Sequence, residues 1–273
     1  MSTNFTEKQI SRYARHILLK EVGGIGQAKM LNSRVLVIGA GGLGSPVMLY
    51  LAAAGIGTIG VIDDDHVDLS NLQRQILHAT DRVGFKKVDS ASEGLKSINP
   101  EITVEKIYGR LTEKNAKTLI ESYDIVVDGS DNFSTRFLVN DACYLFRRTL
   151  VSAAILRFDG QLGTFKAHIV DKNGEHGPCY RCIFRAPPQE HVPTCAEAGV
   201  MGALCGLMGS LQASEVIKEL LGIGHSMSGS LMIVDGLATE FRKISVKADP
   251  ECPLCGINPV ITDLSTHRDL DAN

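Results

Sequence analysis

No block of like charge interrupts this 273-residue chain: 28 Lys and Arg residues are dispersed among 31 Asp and Glu, for a formal net charge of -3. A nucleic-acid footprint or a membrane-surface helix needs a basic cluster, so neither nucleic acid nor membrane is an expected partner. Long apolar runs are missing as well. The most apolar segment, AGVMGALCGLMGSLQASEVIKELLG, is punctuated by glycine and picks up Glu215, Lys218 and Glu219, which makes it too polar for a bilayer span. The N-terminal stretch MSTNFTEKQISRYARHILLK mixes charges throughout and lacks the apolar core and cleavage site of a secretory signal, so a cytoplasmic location is expected. In that reducing compartment the seven cysteines argue against a disulfide framework and for metal binding or thiol chemistry. Internal repeats and low-complexity tracts are also absent.

What is present has the composition of a folded globular protein, 44% hydrophobic and 22% charged. Ile10, Tyr13, Ile17 and Leu18 recur at helical spacing and predict one or two helices in an N-terminal arm. RVLVIG (34–39), TIGVID (58–63), TVEKIYG (103–109) and DIVVDGS (124–130) read as strands, with helices at 45–54, 88–98 and 114–122 between them. Such alternation predicts an α/β, Rossmann-like fold with a mainly parallel sheet, helices on both faces and ligands outside the C-terminal strand ends. Beyond residue 150, TLVSAAILRFDGQLGTFKAHIV and GSLMIVDGLATEFRKISV read as antiparallel strands that extend the same sheet. A single domain over 1–258 is expected. It divides into an arm (1–32), a nucleotide-binding part (33–165) and a part with a crossover loop and cysteines (166–258), followed by a flexible tail (259–273).

Gly39, Gly41 and Gly44 fit G-x-G-x-x-G between a strand and a helix, and Gly42 adds a second point of close backbone approach. A tight turn leading into a helix N-terminus presents free N–H groups to an anion, so a nucleotide phosphate is expected there. Asp63, at the end of the second strand, stands where an acid takes ribose hydroxyls, which still fits NAD. DDDHVDLSNLQRQIL adds Asp65, Asn71, Arg74 and Gln75, and GFKKV adds Lys86 and Lys87. Cations converging on a phosphate turn suit a triphosphate; the alternative is solvated surface charge. Asp131 and Asn132 in DGSDN suit Mg²⁺ carried by ATP, or else an Asx turn that caps the next helix.

The cysteines divide by spacing. PCYRC gives Cys179 and Cys182, ECPLCG gives Cys252 and Cys255, and two C-x-x-C knuckles make a tetrahedral site for a structural Zn²⁺ with no open position. The rival is a dithiol redox pair, which leaves the second knuckle unexplained. Cys143 and Cys205 lie in apolar helical patterns and read as core. Cys195 follows a proline-bearing loop and stands at a helix start, where a thiol is either an activated nucleophile or a bystander.

RYARHIL, GAGGLGS, VIDDDHVDLSNLQRQIL, GFKKV, DGSDNFSTR, CYRC, TCAEAGVMG and CPLCG occur in one order between about residue 7 and residue 257. With these motifs the chain resembles the MoeB/ThiF group, bacterial relatives of ubiquitin-activating enzymes. The resemblance implies ATP-dependent adenylation of the C-terminal Gly-Gly of a ubiquitin-like sulfur carrier, with release of pyrophosphate, in thiamin or molybdopterin biosynthesis. It implies ATP, Mg²⁺ and structural Zn²⁺, with the Gly42 turn near the phosphates and Asp63 on the ribose. Asn71, Arg74 and Lys87 would surround the phosphate chain, and Asp131 would hold the magnesium. Arg15 resembles the arginine that family homodimers insert into the partner's ATP site, and Cys195 matches a family cysteine that forms a covalent intermediate with the carrier. The short stretch after Cys255 points to a separate sulfur donor. Two other readings remain at this stage: an NAD-dependent oxidoreductase, which leaves Arg74, Lys87 and Asp131 without a task, and a non-catalytic nucleotide-binding scaffold.

Overall fold

In the computed structural model, which describes residues 5–188 and 195–267, the strands are β1 (Arg34–Ile38), β2 (Thr58–Asp63), β3 (Thr103–Tyr108), β4 (Ile125–Asp128), β5 (Thr149–Leu156), β6 (Asp159–Phe165), β7 (Ser230–Asp235) and β8 (Glu240–Ser245). They form one sheet in the order β3-β2-β1-β4-β5-β6-β7-β8. β1 to β5 pair in parallel, and β6, β7 and β8 are added antiparallel, so the late strands extend the sheet as the sequence predicts. The chain direction reverses across the sheet between β1 and β4, and a crevice opens there outside the strand ends.

The helices are α1 (Glu7–Ile17), α2 (Gly23–Leu31), α3 (Gly44–Ala54), α4 (Lys87–Ile98), α5 (Ala116–Glu121), α6 (Phe133–Leu145), α7 (Cys195–Ala198) and α8 (Gly202–Leu221). Strand periodicity sends alternate β1 residues to two separate cores. Val35 and Val37 pack with Met48 of α3, Leu95 of α4 and Met208 of α8, whereas Leu36 and Ile38 pack with Ile120 of α5 and Phe137 of α6. A strand covered on both faces needs apolar side chains on both, which is why RVLVI is a continuous run rather than an alternating one. Among the described residues no helix is long and apolar enough to cross a membrane.

The arm is pinned by its own chemistry. Thr6 and Gln9 form a reciprocal capping box at the start of α1. Tyr13 is buried, and its hydroxyl accepts from Asn99 Nδ2 at 2.8 Å just beyond α4. Gly209 of α8 serves a close approach inside the chain: a Cβ there would stand 2.4 Å from Pro46 Cγ of α3.

One expectation is corrected at the C-terminal end. Residues 259–267 were expected to begin a flexible tail, yet Ile261, Leu264 and His267 are buried. Leu264 and Ile261 each join a hydrophobic cluster, and His267 Nε2 lies 2.8 Å from Asp141 Oδ2. Asp141 is fully buried and receives Arg181 through two 2.7 Å hydrogen bonds, which fasten the segment after β6 to α6. A buried bidentate pair of this kind resists the loss of one partner far more than the loss of both. Arg181→Ala should therefore lower unfolding free energy by about 3–5 kcal/mol. Arg181→Met with Asp141→Leu should recover only part of it, because the buried His267 and Asn140 lose the same carboxylate, and chemical denaturation of the three proteins checks both expectations.

Candidate nucleotide site and cysteine cluster

A cavity of about 850 Å³ opens at the C-terminal ends of the parallel strands, where the crevice between β1 and β4 lies. Its floor is the turn after β1. Gly39 takes a φ of 90°, a left-handed conformation that glycine adopts without strain, and a Cβ there would stand 3.1 Å from the Gly129 carbonyl oxygen after β4. A Cβ on Gly44 would stand 1.9 Å from the Gly39 carbonyl oxygen, so only glycine lets α3 start this close to the strand end. The turn therefore directs the N-terminus of α3, with its positive dipole end, at the cavity.

Gly39, Gly41, Gly42, Asp63, Asp65 and Arg74 line the cavity, as do Gln75, Lys87, Asp131 and Asn132. The structure thus brings together residues that lie far apart in sequence. Asp63 Oδ2 accepts from Ala40 N at 2.8 Å and its Oδ1 accepts from Asp65 N at 2.8 Å, which fixes the carboxylate against the turn. Lys87, the first residue of α4, is buried with Nζ 2.8 Å from Asp65 Oδ2. Asp131 is exposed, with a carboxylate suited to a hard cation. Asn132 performs the capping alternative, because its Oδ1 accepts from Thr135 N at 2.9 Å at the start of α6.

Three expected site residues do not line this cavity. Gly44 acts through close packing at the start of α3, and Asn71 spends its Oδ1 on Asp68 N at 3.3 Å in a short turn. Arg15 is exposed on α1. Cys195 is the first residue of α7, but its side chain and residues 189–194 of the preceding loop lie outside the described residues. Cys205 is buried as expected, and it also lines the cavity: its Sγ would stand 3.1 Å from a Cβ on Gly42.

Sequence reasoning missed Arg110, Arg136, Tyr180, Phe184 and His267 on the cavity wall. Arg110 Nε donates to Asp64 Oδ2 at 2.7 Å, and this contact is the chief reason its pKa is raised. Arg136 stands one helical turn past the cap Asn132, a spacing visible in DGSDNFSTR, and its guanidinium packs beside the buried Asp128. No local pattern announces the other three, since their place is set by the fold of segments after β6 and β8.

Away from the cavity, Cys179, Cys182, Cys252 and Cys255 converge with all four Sγ atoms within 4.8 Å of one another. Their separations of 3.4 Å (Cys182–Cys255, Cys179–Cys255), 3.6 Å (Cys179–Cys252) and 3.9 Å (Cys179–Cys182) exceed bonding distance. A tetrahedron with metal–sulfur bonds of about 2.3 Å has sulfur–sulfur edges of about 3.8 Å, so the donor set fits a four-coordinate metal. The thiols shift one another in opposite directions: contact with Cys179 is the first cause holding the Cys252 thiol below its ordinary pKa, and contact with Cys182 is the first cause raising that of Cys179. The cluster ties the segment after β8 to the segment after β6.

The ThiF family pattern matches residues 13–254. The chain belongs to the ThiF family. A sulfur carrier protein adenylyltransferase of Thermus thermophilus is 48% identical over 95% of this chain and 96% of its own length. The SAMP-activating enzyme E1 of Haloferax volcanii is 44% identical over 94% of this chain and 92% of its own. The adenylyltransferase and sulfurtransferase MOCS3 of Culex quinquefasciatus is 46% identical over 96% of this chain, which spans only 59% of that longer protein. Among solved structures, E. coli MccB with AMPCPP and MccA superposes with a TM-score of 0.77 at 24% identity, over 93% of this chain and 75% of the other. That likeness shows the ThiF-family fold.

Removing one sulfur from the cluster should leave a ThiF fold whose late segments are unclipped. Cys252→Ser is expected to lower the thermal midpoint by on the order of 10 °C and to abolish stoichiometric metal binding. Elemental analysis and thermal melting, with and without a chelator, check both.

Proposed function

We propose that this chain is an ATP-dependent adenylyltransferase that activates the C-terminal Gly-Gly carboxylate of a ubiquitin-like sulfur carrier protein. The observation that carries the reading is the convergence of the glycine turn, Arg74, Lys87 and Asp131 on one cavity, in a chain matched nearly end to end by a sulfur carrier protein adenylyltransferase. A carrier carboxylate oxygen attacks the α-phosphorus of ATP, the bond to the β-phosphate oxygen breaks, and pyrophosphate leaves with its electron pair. The product is an acyl-adenylate that a sulfur nucleophile can open.

Both reactants are anions, so the protein's main task is to place positive charge and to align them. The N–H groups of Gly41 and Gly42 meet the phosphates, Asp63 and Asp65 stand at the ribose end, and Arg74, Gln75 and Lys87 flank the phosphate chain. Lys87 is held in the wall by Asp65, so its charge is in position before nucleotide arrives. Asp131, with Asn132 at its side, would hold the Mg²⁺ that arrives with ATP, a cation that neutralises phosphate charge. Zn²⁺ suits the four cysteine sulfurs and would act as a structural clip. Arg15 would reach the cavity of a second copy in a homodimer, and Asn71 would join the phosphate ligands only after leaving its turn. A separate protein would donate sulfur, and Cys195 would act after adenylation. An NAD-dependent oxidoreductase leaves the cationic wall without a task.

ATP–pyrophosphate exchange with Mg²⁺, with and without Gly-Gly carriers of the thiamin and molybdopterin pathways, tests this reading. Exchange that appears on addition of one carrier identifies the pathway; its absence with every carrier, in metal-loaded protein, counts against adenylation. Arg74→Ala and Asp131→Ala should each lower exchange by about 10²–10³-fold with the melting temperature nearly unchanged. Cys195→Ala should exchange at the wild-type rate and fail only in sulfur transfer, which a coupled thiocarboxylate assay measures.

A further inference from the structure

Ala40, inside the glycine turn, is held on both sides of its backbone. Its N–H donates to Asp63 Oδ2 at 2.8 Å, and its carbonyl oxygen lies 2.9 Å from Nε2 of the buried His78. A carbonyl only accepts, so Nε2 carries the proton. Burial is the main cause lowering the His78 pKa, against the Ala40 contact and Asp63 and together with the charges of Lys87 and Arg82, so the shift favours the uncharged ring. Its Nδ1 is then an acceptor and takes the Ser90 hydroxyl at 2.8 Å. A single tautomer satisfies both contacts.

The direction of these bonds matters. In a planar trans peptide the C=O and the following N–H point to opposite sides. The Ala40 carbonyl points at His78, which is not on the cavity wall, whereas Gly41 lines the cavity. The N–H of Gly41, a residue of the cavity wall, therefore points away from His78. Ser90 lies on α4, whose first residue is Lys87, so the same imidazole sets the turn relative to the helix that carries the cation.

We infer that His78 is a positioning residue for the phosphate-binding turn: its Nε2–H holds the Ala40 carbonyl so that the Gly41 N–H faces the phosphate chain, and its Nδ1 couples that turn to α4 and Lys87. The inference rests on the nucleotide reading above and adds a residue to it that never touches the ligand.

Full-length metal-loaded His78→Phe and His78→Gln proteins test it through ATP binding by calorimetry and pyrophosphate exchange. Phenylalanine keeps the ring volume without either nitrogen contact, and glutamine keeps a donor near the Nε2 position. His78→Phe should lower kcat/KM for ATP by about 10²-fold while the KM for the carrier stays within about twofold, and His78→Gln should recover about tenfold of the loss. If His78→Phe fails to fold, Ser90→Ala is the second variant, expected to lower kcat/KM for ATP by about tenfold. Wild-type kcat/KM in folded His78→Phe, or in Ser90→Ala, overturns the inference. So does a His78→Gln protein no better than His78→Phe, because the role is then one of packing. A wild-type chain that binds no ATP at all defeats the nucleotide reading itself and is told apart by that control.

Discussion

A methyl group on Gly44 would sit 1.9 Å from the Gly39 carbonyl oxygen, and one on Gly129 would sit 3.1 Å from Gly44 N. Three backbone segments, the ends of β1 and β4 and the start of α3, meet at this point with no side chain between them. Any residue larger than glycine would prise the helix N-terminus away from the strand ends and close the crevice from below. The cavity, the helix end that faces it and the approach of Arg74 to Gly42 all depend on that contact. β1 must then be central and covered on both faces, and its RVLVI sequence provides for this.

Charge is organised around the turn by short polar links. Asp63 fixes Ala40 from one side and His78 from the other, and Asp65 holds Lys87 in the wall. Buried cations near a phosphate site are useful only if they are already in place, because rearranging them during reaction would cost the energy they are meant to supply. The lowered pKa of His78 has the same logic. A positive charge on the prop itself would be unpaired in a buried setting beside Lys87 and Arg82.

The second half of the chain is held by a different means. The segments after β6 and β8 have little regular structure, and they are joined by the cysteine cluster and by the Arg181–Asp141–His267 network on α6. Both devices connect residues 40 or more positions apart in sequence, and both border the wall formed by Tyr180, Phe184 and His267. The far side of the cavity is thus kept in shape by sulfur and buried charge, whereas the near side depends on glycine.

Hydrophobic period, glycine placement and C-x-x-C spacing by themselves determined the strands, the parallel character of the first half, the glycine turn and the grouping of four cysteines. Each is a local pattern whose physics acts within a few residues, and DGSDN even carried both the acid and the cap that Asn132 became. Distance across the fold decided the rest. The burial of Ile261, Leu264 and His267, the pairing of Lys87 with Asp65, the use of Gly209 against Pro46 and the seating of His78 behind Ala40 each join segments that no local spacing relates. A polar C-terminal stretch is indistinguishable from a tail until a buried carboxylate such as Asp141 is there to receive it. A lone histidine in NLQRQILH likewise gains a direction only when a carbonyl and a hydroxyl from two other elements close on its two nitrogens.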